Sequence, residues 1–90
     1  MSWQSEQPPC EHIDMIQEVD AATEGCGECL AVGDTWVHLR LCLVCGSVGC
    51  CDQSKNTHAR KHAGITDHAI VRSFEPGETW RWCYPDARFV

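Results

Sequence analysis

Ninety residues leave room for one domain, and a domain that small rarely holds together without a covalent or metal staple; eight cysteines and five histidines are the evident source of one. The chain is acidic, with 13 Asp and Glu against 7 Lys and Arg, which excludes the broad basic surface of a nucleic-acid binder. No run approaches the roughly 18 apolar residues of a membrane span, and Met1-Ser2-Trp3-Gln4-Ser5-Glu6 lacks the basic-then-apolar order of a secretory leader.

Disulfide scaffolds belong to secreted chains, and a disulfide reading leaves the histidines unexplained. Zinc is therefore the expected staple, in a cytoplasmic and monomeric protein. Lys55, Arg60 and Lys61 form a short basic patch, read as a solvated helix face. Bound metal would not reverse the acidic balance, because three thiolates outweigh one dication and two thiolates match it.

In chain order, residues 1–9 are polar, end in Pro8-Pro9 and read as a flexible tail; residues 10–90 read as the domain. Ile13, Ile16 and Val19 recur at spacing three, which suits a helical turn in a run too short to settle it. Gly33-Asp34 is a turn signal. Thr35 to Leu41 alternates, with Val37, Leu39 and Leu41 on one face and Trp36, His38 and Arg40 on the other, the pattern of a half-buried strand. Ser54 is placed to cap a helix over 55–63 that Gly64 would stop. Residues 69–74 and 79–84 read as two further strands, joined by a turn at Glu75-Pro76-Gly77-Glu78. The expected fold class is α+β: a small zinc-stabilised antiparallel sheet with one helix.

Cys26-Gly27-Glu28-Cys29 and Cys42-Leu43-Val44-Cys45 are two Cys-x2-Cys knuckles. Two intervening residues let the chain turn so that both sulfurs face one centre at about 2.3 Å. Cys50, His58, His62 and His68 follow, and these eight side chains suffice for two four-coordinate sites. Spacing does not assign the pairing, and a local reading would give His58 and His62, four apart on a helix, to one metal. Cys10, His12 and Cys83 lie at opposite ends of the domain. They offer three donors to a third site, which Asp86 or water would complete. Cys51 should point away from a metal that Cys50 faces, and His38 reads as a structural or surface histidine.

The ordered set Cys10-x-His12, Cys26-x2-Cys29, Trp36, Cys42-x2-Cys45, Gly49-Cys50, His58-Ala59-x2-His62, His68 and Trp82-Cys83-Tyr84 resembles the ubiquitin-protease-type zinc finger over residues 10 to about 86. It is similar to the short stand-alone members found in bacteria, which generally lack ubiquitin. The resemblance implies a cross-braced scheme in which Cys26, Cys29, Cys50 and His58 bind one zinc and Cys42, Cys45, His62 and His68 a second. Cys10, His12 and Cys83 would serve a third, where family members usually end in Cys-x2-Cys and this chain has Asp86.

The resemblance also implies a pocket for a protein C-terminus, with Trp36, Trp82 and Tyr84 at matching aromatic positions. Members that bind the ubiquitin C-terminus read Cys-Gly-Arg where this chain reads Cys50-Cys51-Asp52. A carboxylate there repels the ligand's own, so binding of ubiquitin itself is expected to be weak or absent, and Arg40 or Arg81 would have to supply the cation. The expected function is a non-catalytic, zinc-binding interaction module for a peptide or protein C-terminus, without nucleic-acid or membrane partners. The alternative is a thiol-based redox or zinc-responsive protein. No His-Glu-x2-His motif or nucleophile–base pair points to a hydrolase.

Overall fold

The computed structural model describes residues 10–90; the expected flexible tail, residues 1–9, lies outside them. Among the described residues the chain forms a short 3-10 helix (Glu11–Met15), α1 (Gly27–Val32), β1 (Leu39–Cys42), β2 (Val48–Cys50), α2 (His58–Thr66), β3 (Ile70–Ser73), β4 (Arg81–Cys83) and β5 (Arg88–Phe89). The five strands make one antiparallel sheet in the order β2-β1-β3-β4-β5.

Because side chains alternate across a strand, the register divides the sheet into two faces. Leu39, Leu41, Val48, Cys50, Ile70 and Cys83 share one face through the pairs Leu39↔Cys50, Leu41↔Val48 and Ile70↔Cys83. All are buried, and Ile13, Met15, Ile16, Val19 and Trp36 pack on the core that they form. Arg40, Gly49, Val71, Ser73, Trp82 and Phe89 share the other face through Arg40↔Gly49, Arg40↔Ser73, Val71↔Trp82 and Trp82↔Phe89. Helix α2 packs over the β1–β2 end of that second face. Its backbone comes so near that a Cβ on Gly49 would stand 2.6 Å from the Ala59 nitrogen.

Ile70 is the largest side chain with no exposure at all. Ile70→Ala is expected to cost about 2–5 kcal/mol, since a packed core relaxes only partly around a deleted branch. The check is the denaturation midpoint at constant zinc; a midpoint equal to that of the unaltered chain would contradict the placement.

Several elements depart from the sequence expectation. The first strand begins at Leu39, not Thr35. Before it, the Val37 N–H donates to Ser54 Oγ at 2.8 Å instead of joining a ladder, and Val37 is exposed while Leu39 and Leu41 are buried. That bond occupies the hydroxyl expected to cap the helix. Helix α2 accordingly starts three residues later, after Thr57 in a left-handed conformation. It runs through Gly64 to Asp67, which supplies the left-handed C-terminal residue at φ 60°.

The ambiguous run after His12 is the 3-10 helix followed by extended chain, with the Gln17 N–H donating to the Leu43 carbonyl at 2.8 Å. The strands expected over 69–74 and 79–84 are present as the shorter β3 and β4. A Glu75–Glu78 turn joins them, closed by a 3.2 Å bond from the Glu78 N–H to the Glu75 carbonyl. Helix α1 and strands β2 and β5 were not expected.

Candidate metal centres

Short-range forces set the first cluster. Cys26 stands at the N-terminus of α1 and its sulfur accepts the Cys29 N–H at 3.5 Å, so the knuckle and the first helical turn are one structure. Cys50 ends β2, and its sulfur accepts the His58 N–H at 3.1 Å, which places the start of α2 beside it. Asn56 Nδ2 donates to Cys29 Sγ at 3.6 Å and to Asp34 Oδ2 at 2.8 Å. His58 Nδ1 then lies 3.2, 3.3 and 3.6 Å from the sulfurs of Cys26, Cys29 and Cys50.

The second cluster joins the β1–β2 turn to α2 and the residue before β3. Cys42 Sγ is 3.7 Å from His68 Nδ1, and Cys45 Sγ is 3.4 Å from His62 Nε2. The two imidazoles meet edge to face at 5.3 Å. Gly46, at φ 84°, makes the turn that closes the knuckle, and a Cβ there would strike the Asp20 carbonyl.

The third cluster ties the chain's two ends. His12 Nδ1, on the 3-10 helix, is 3.5 Å from Cys10 Sγ, 3.4 Å from Cys83 Sγ at the end of β4, and 3.5 Å from Asp86 Oδ2 in the β4–β5 turn.

In each cluster the four donor atoms lie within 4.8 Å of one another. A tetrahedral zinc with bonds of about 2.0–2.3 Å requires donors about 3.3–3.8 Å apart, and the spacings fit. They do not fit disulfides: the Cys29 and Cys50 sulfurs are 4.0 Å apart, and all eight cysteines are free. His58 and His62 go to different clusters although they share α2. A histidine pair on one helix sharing a metal, the local reading of the spacing, is thereby excluded.

The electrostatics point the same way. Burial, reinforced by the Cys29 and Cys50 sulfurs, pushes the Cys26 thiol up to about 11. Burial, with Cys10 and Asp86 nearby, pushes Cys83 up to about 11, and burial also raises Cys42. Converged buried thiols cannot ionise together unless a cation joins them, and zinc binding to such sites displaces protons. Burial first, and then His68, lowers His62 and keeps it in the neutral form that ligates. The chain thus presents three candidate zinc sites.

Cys51 stands outside the three clusters and beside the cleft described below. It is buried, with its sulfur 3.5 Å from Ser54 Oγ. His38 is a surface residue, with Nδ1 3.7 Å from Glu75 Oε1.

Beside α2, the uncovered part of the sheet's second face is an open cleft of about 270 Å³. Trp80, Trp82 and Tyr84 follow one another at period two along and beyond β4 and line it with Arg40, Val71 and Phe89. Phe89 stands edge-on to Trp82 at 5.0 Å and to Trp80 at 5.7 Å. The Arg40 guanidinium stacks 4.5 Å over the Trp80 ring, with Nη1 donating to the Leu39 carbonyl at 2.9 Å. Asp52, which also lines the cleft, is held by Arg60 through bonds of 3.0 and 2.5 Å. That contact, assisted by Arg40, lowers the Asp52 carboxyl below its usual range.

Trp36 is not part of this cleft. Its indole lies against Gly25 and packs on the core, because the chain before Leu39 leaves the ladder and the face expected from alternation is lost. Arg81 points elsewhere and donates to the Val90 carbonyl at 2.9 Å. Sequence reasoning missed Trp80 and Phe89; continuing the period-two pattern back from Trp82 would have found the first.

A Zn-finger model describing ubiquitin hydrolases and other proteins matches residues 26–90. No curated protein matches the chain. Among solved structures, the solution NMR structure of protein RPA1320 from Rhodopseudomonas palustris is 44% identical and superposes with a TM-score of 0.83, covering 92% of this chain and 81% of that one.

Proposed function

The chain belongs to the zinc-finger family of ubiquitin hydrolases and other proteins, and on that footing we propose that it is a non-catalytic interaction module whose cleft takes the C-terminus of a peptide or protein. Zinc at the three clusters serves the fold in this reading: Cys26, Cys29, Cys50 and His58 hold one ion, Cys42, Cys45, His62 and His68 a second, and Cys10, His12, Cys83 and Asp86 a third. Four donors at each leave no open position of the kind a catalytic zinc keeps.

The observation that carries the proposal is Arg40 on Trp80 inside an aromatic cleft. Flat rings pack closely on an extended small-residue backbone, and a guanidinium pairs bidentately with a carboxylate. Asp52 makes its ion pair with Arg60 and acts on Arg40 only through space. Its place where the family's ubiquitin binders carry arginine argues against ubiquitin itself as the ligand. The burial of Cys51 weighs against a thiol redox sensor, which needs an accessible sulfur. Among the described residues no helix is long and apolar enough to cross a membrane.

The test is an amide NMR titration of the zinc-loaded protein with a peptide ending in Gly-Gly as free acid and as amide. Shifts at Trp80, Trp82 and Tyr84 are expected with the acid, and much weaker ones with the amide. Trp82→Ala should abolish capture with zinc content unchanged, and Arg40→Gln should remove the preference for the acid. Capture that survives Trp82→Ala would sink the proposal.

A further inference from the structure

We infer that the Cys10–His12–Cys83–Asp86 cluster is an exchangeable zinc site, the first of the three to empty, and that its occupancy sets the shape of the cleft. Donor chemistry and placement separate it from the other two. It is the one cluster that contains a carboxylate. Zinc is a borderline-soft ion, for which thiolate and imidazole are the preferred donors of closed structural sites. The sulfurs of the first cluster are fully buried, and backbone N–H groups and Asn56 secure them. At the third, by contrast, the Asp86 and His12 side chains are 34% and 31% exposed, which gives water and competing ligands a route to the ion. Cys45 of the second cluster is also exposed, but that cluster braces the β1–β2 turn to α2 in the middle of the fold. The third closes only terminal segments, so opening it need not disturb the sheet's centre.

Those terminal segments are where the cleft is built. Cys83 lies between Trp82 and Tyr84 in sequence, and Asp86 sits in the turn that brings Phe89 across Trp82. Strand β5 has two residues at the sheet edge, and so short a hairpin is not stable alone. Its turn is held by the Ala87 N–H on the Tyr84 carbonyl at 3.2 Å, with Ala87 itself left-handed at φ 50°. A metal bound through Cys83 and Asp86 would pin both ends of this turn. Without it, Phe89 would lose its place beside Trp82 and Trp80. Linkage makes the effect reciprocal: a ligand that needs the ordered cleft must tighten zinc at this site. That last step rests on the cleft reading; the exchangeability and the hairpin's dependence do not.

The experiment is native mass spectrometry of the fully loaded protein during graded addition of EDTA, with amide NMR of the species that accumulates. The expected result is a three-zinc to two-zinc step well before further loss. In the two-zinc form, changes should be confined to residues 10–16 and 81–90, with the remaining dispersion intact. Asp86→Cys should raise the EDTA needed for the first loss by at least about tenfold, the scale that even outer-shell changes reach at metal sites. Asp86→Ala should lower it while the two-zinc core stays folded. Simultaneous loss of all three ions, a first loss that Asp86→Cys does not delay, or an unchanged 81–90 segment in the two-zinc form would each overturn the inference. A hairpin that loosens without altering peptide capture would support it and count against the cleft reading instead.

Discussion

Stripping all zinc with a strong chelator is expected to unfold the protein rather than loosen it. Five of the eleven residues in the buried core cluster are the candidate ligands Cys10, Cys26, Cys29, Cys50 and Cys83. The candidate metal sites are thus part of the core: the first lies within it, and the third seals the end where the terminal segments meet it. Structural zinc contributes about 10–16 kcal/mol in small domains, as much as the whole net stability of about 5–15 kcal/mol typical of a folded domain. The metal-free chain would also have to hold converged thiols without their cation. The check is amide NMR before and after chelation. Collapse to a narrow, undispersed spectrum is expected, and a chelated protein that kept its dispersion would refute the account.

Gly49→Ala, a single methyl on a residue that touches no metal, is expected to empty two sites at once. The added Cβ would stand 2.6 Å from the Ala59 nitrogen and 2.8 Å from its Cα. Backbone atoms cannot swing aside, so α2 must lift from β2. Overpacking of this kind costs about 1–3 kcal/mol by itself. Here the displaced helix carries His58 and His62, donors to different clusters, so the strain adds to the loosening of both. The expected outcome is a fall in zinc per chain together with a lower melting temperature. Gly64→Ala on the same helix meets nothing within 4 Å, and should leave zinc content unchanged and raise stability slightly, since Ala favours helix over Gly. Equal zinc content in the Gly49→Ala and unaltered proteins would show that α2 is not held as described.

The candidate ligands were legible in the sequence because metal coordination restricts residue type and local spacing severely. Cys26-x2-Cys29 and Cys42-x2-Cys45 mark their sites whatever surrounds them. The division of His58 and His62 between two centres was not legible from spacing, because it depends on where β2 and the segment before β3 bring Cys50 and His68. The family likeness, not periodicity, supplied it. Asp86 was found because its offset from Cys83 is local.

The failures have a common cause. Ser54 has the right chemistry for a helix cap but spends its hydroxyl on Val37, 17 positions away and beyond the reach of any local rule. Trp36 falls on the alternating pattern of β1, yet the chain leaves the ladder before Leu39. In a chain where strands are two to four residues long, side-chain hydrogen bonds and metal closure decide element ends, and periodicity has too few residues to register. Helix α1 was hidden for the same reason: its cap is a cysteine sulfur, which no propensity scale counts as a helix start.

The joining of Cys10 to Cys83 also bears on how the protein is made. A chain synthesised from its N-terminus presents Cys10, Cys26 and Cys29 to the cell long before their partners exist. The first cluster cannot close until His58 has been added, the second until His68, and the third until Cys83 and Asp86 follow. At about 5–20 residues per second, the 73 positions from Cys10 to Cys83 take roughly 4–15 s. Through that interval Cys10 is open to oxidation and to capture by the wrong metal, whereas Cys26 and Cys29 wait only until His58 has been added. Yield in the cell should therefore depend on reducing conditions and free zinc during synthesis, more than on the stability of the finished molecule.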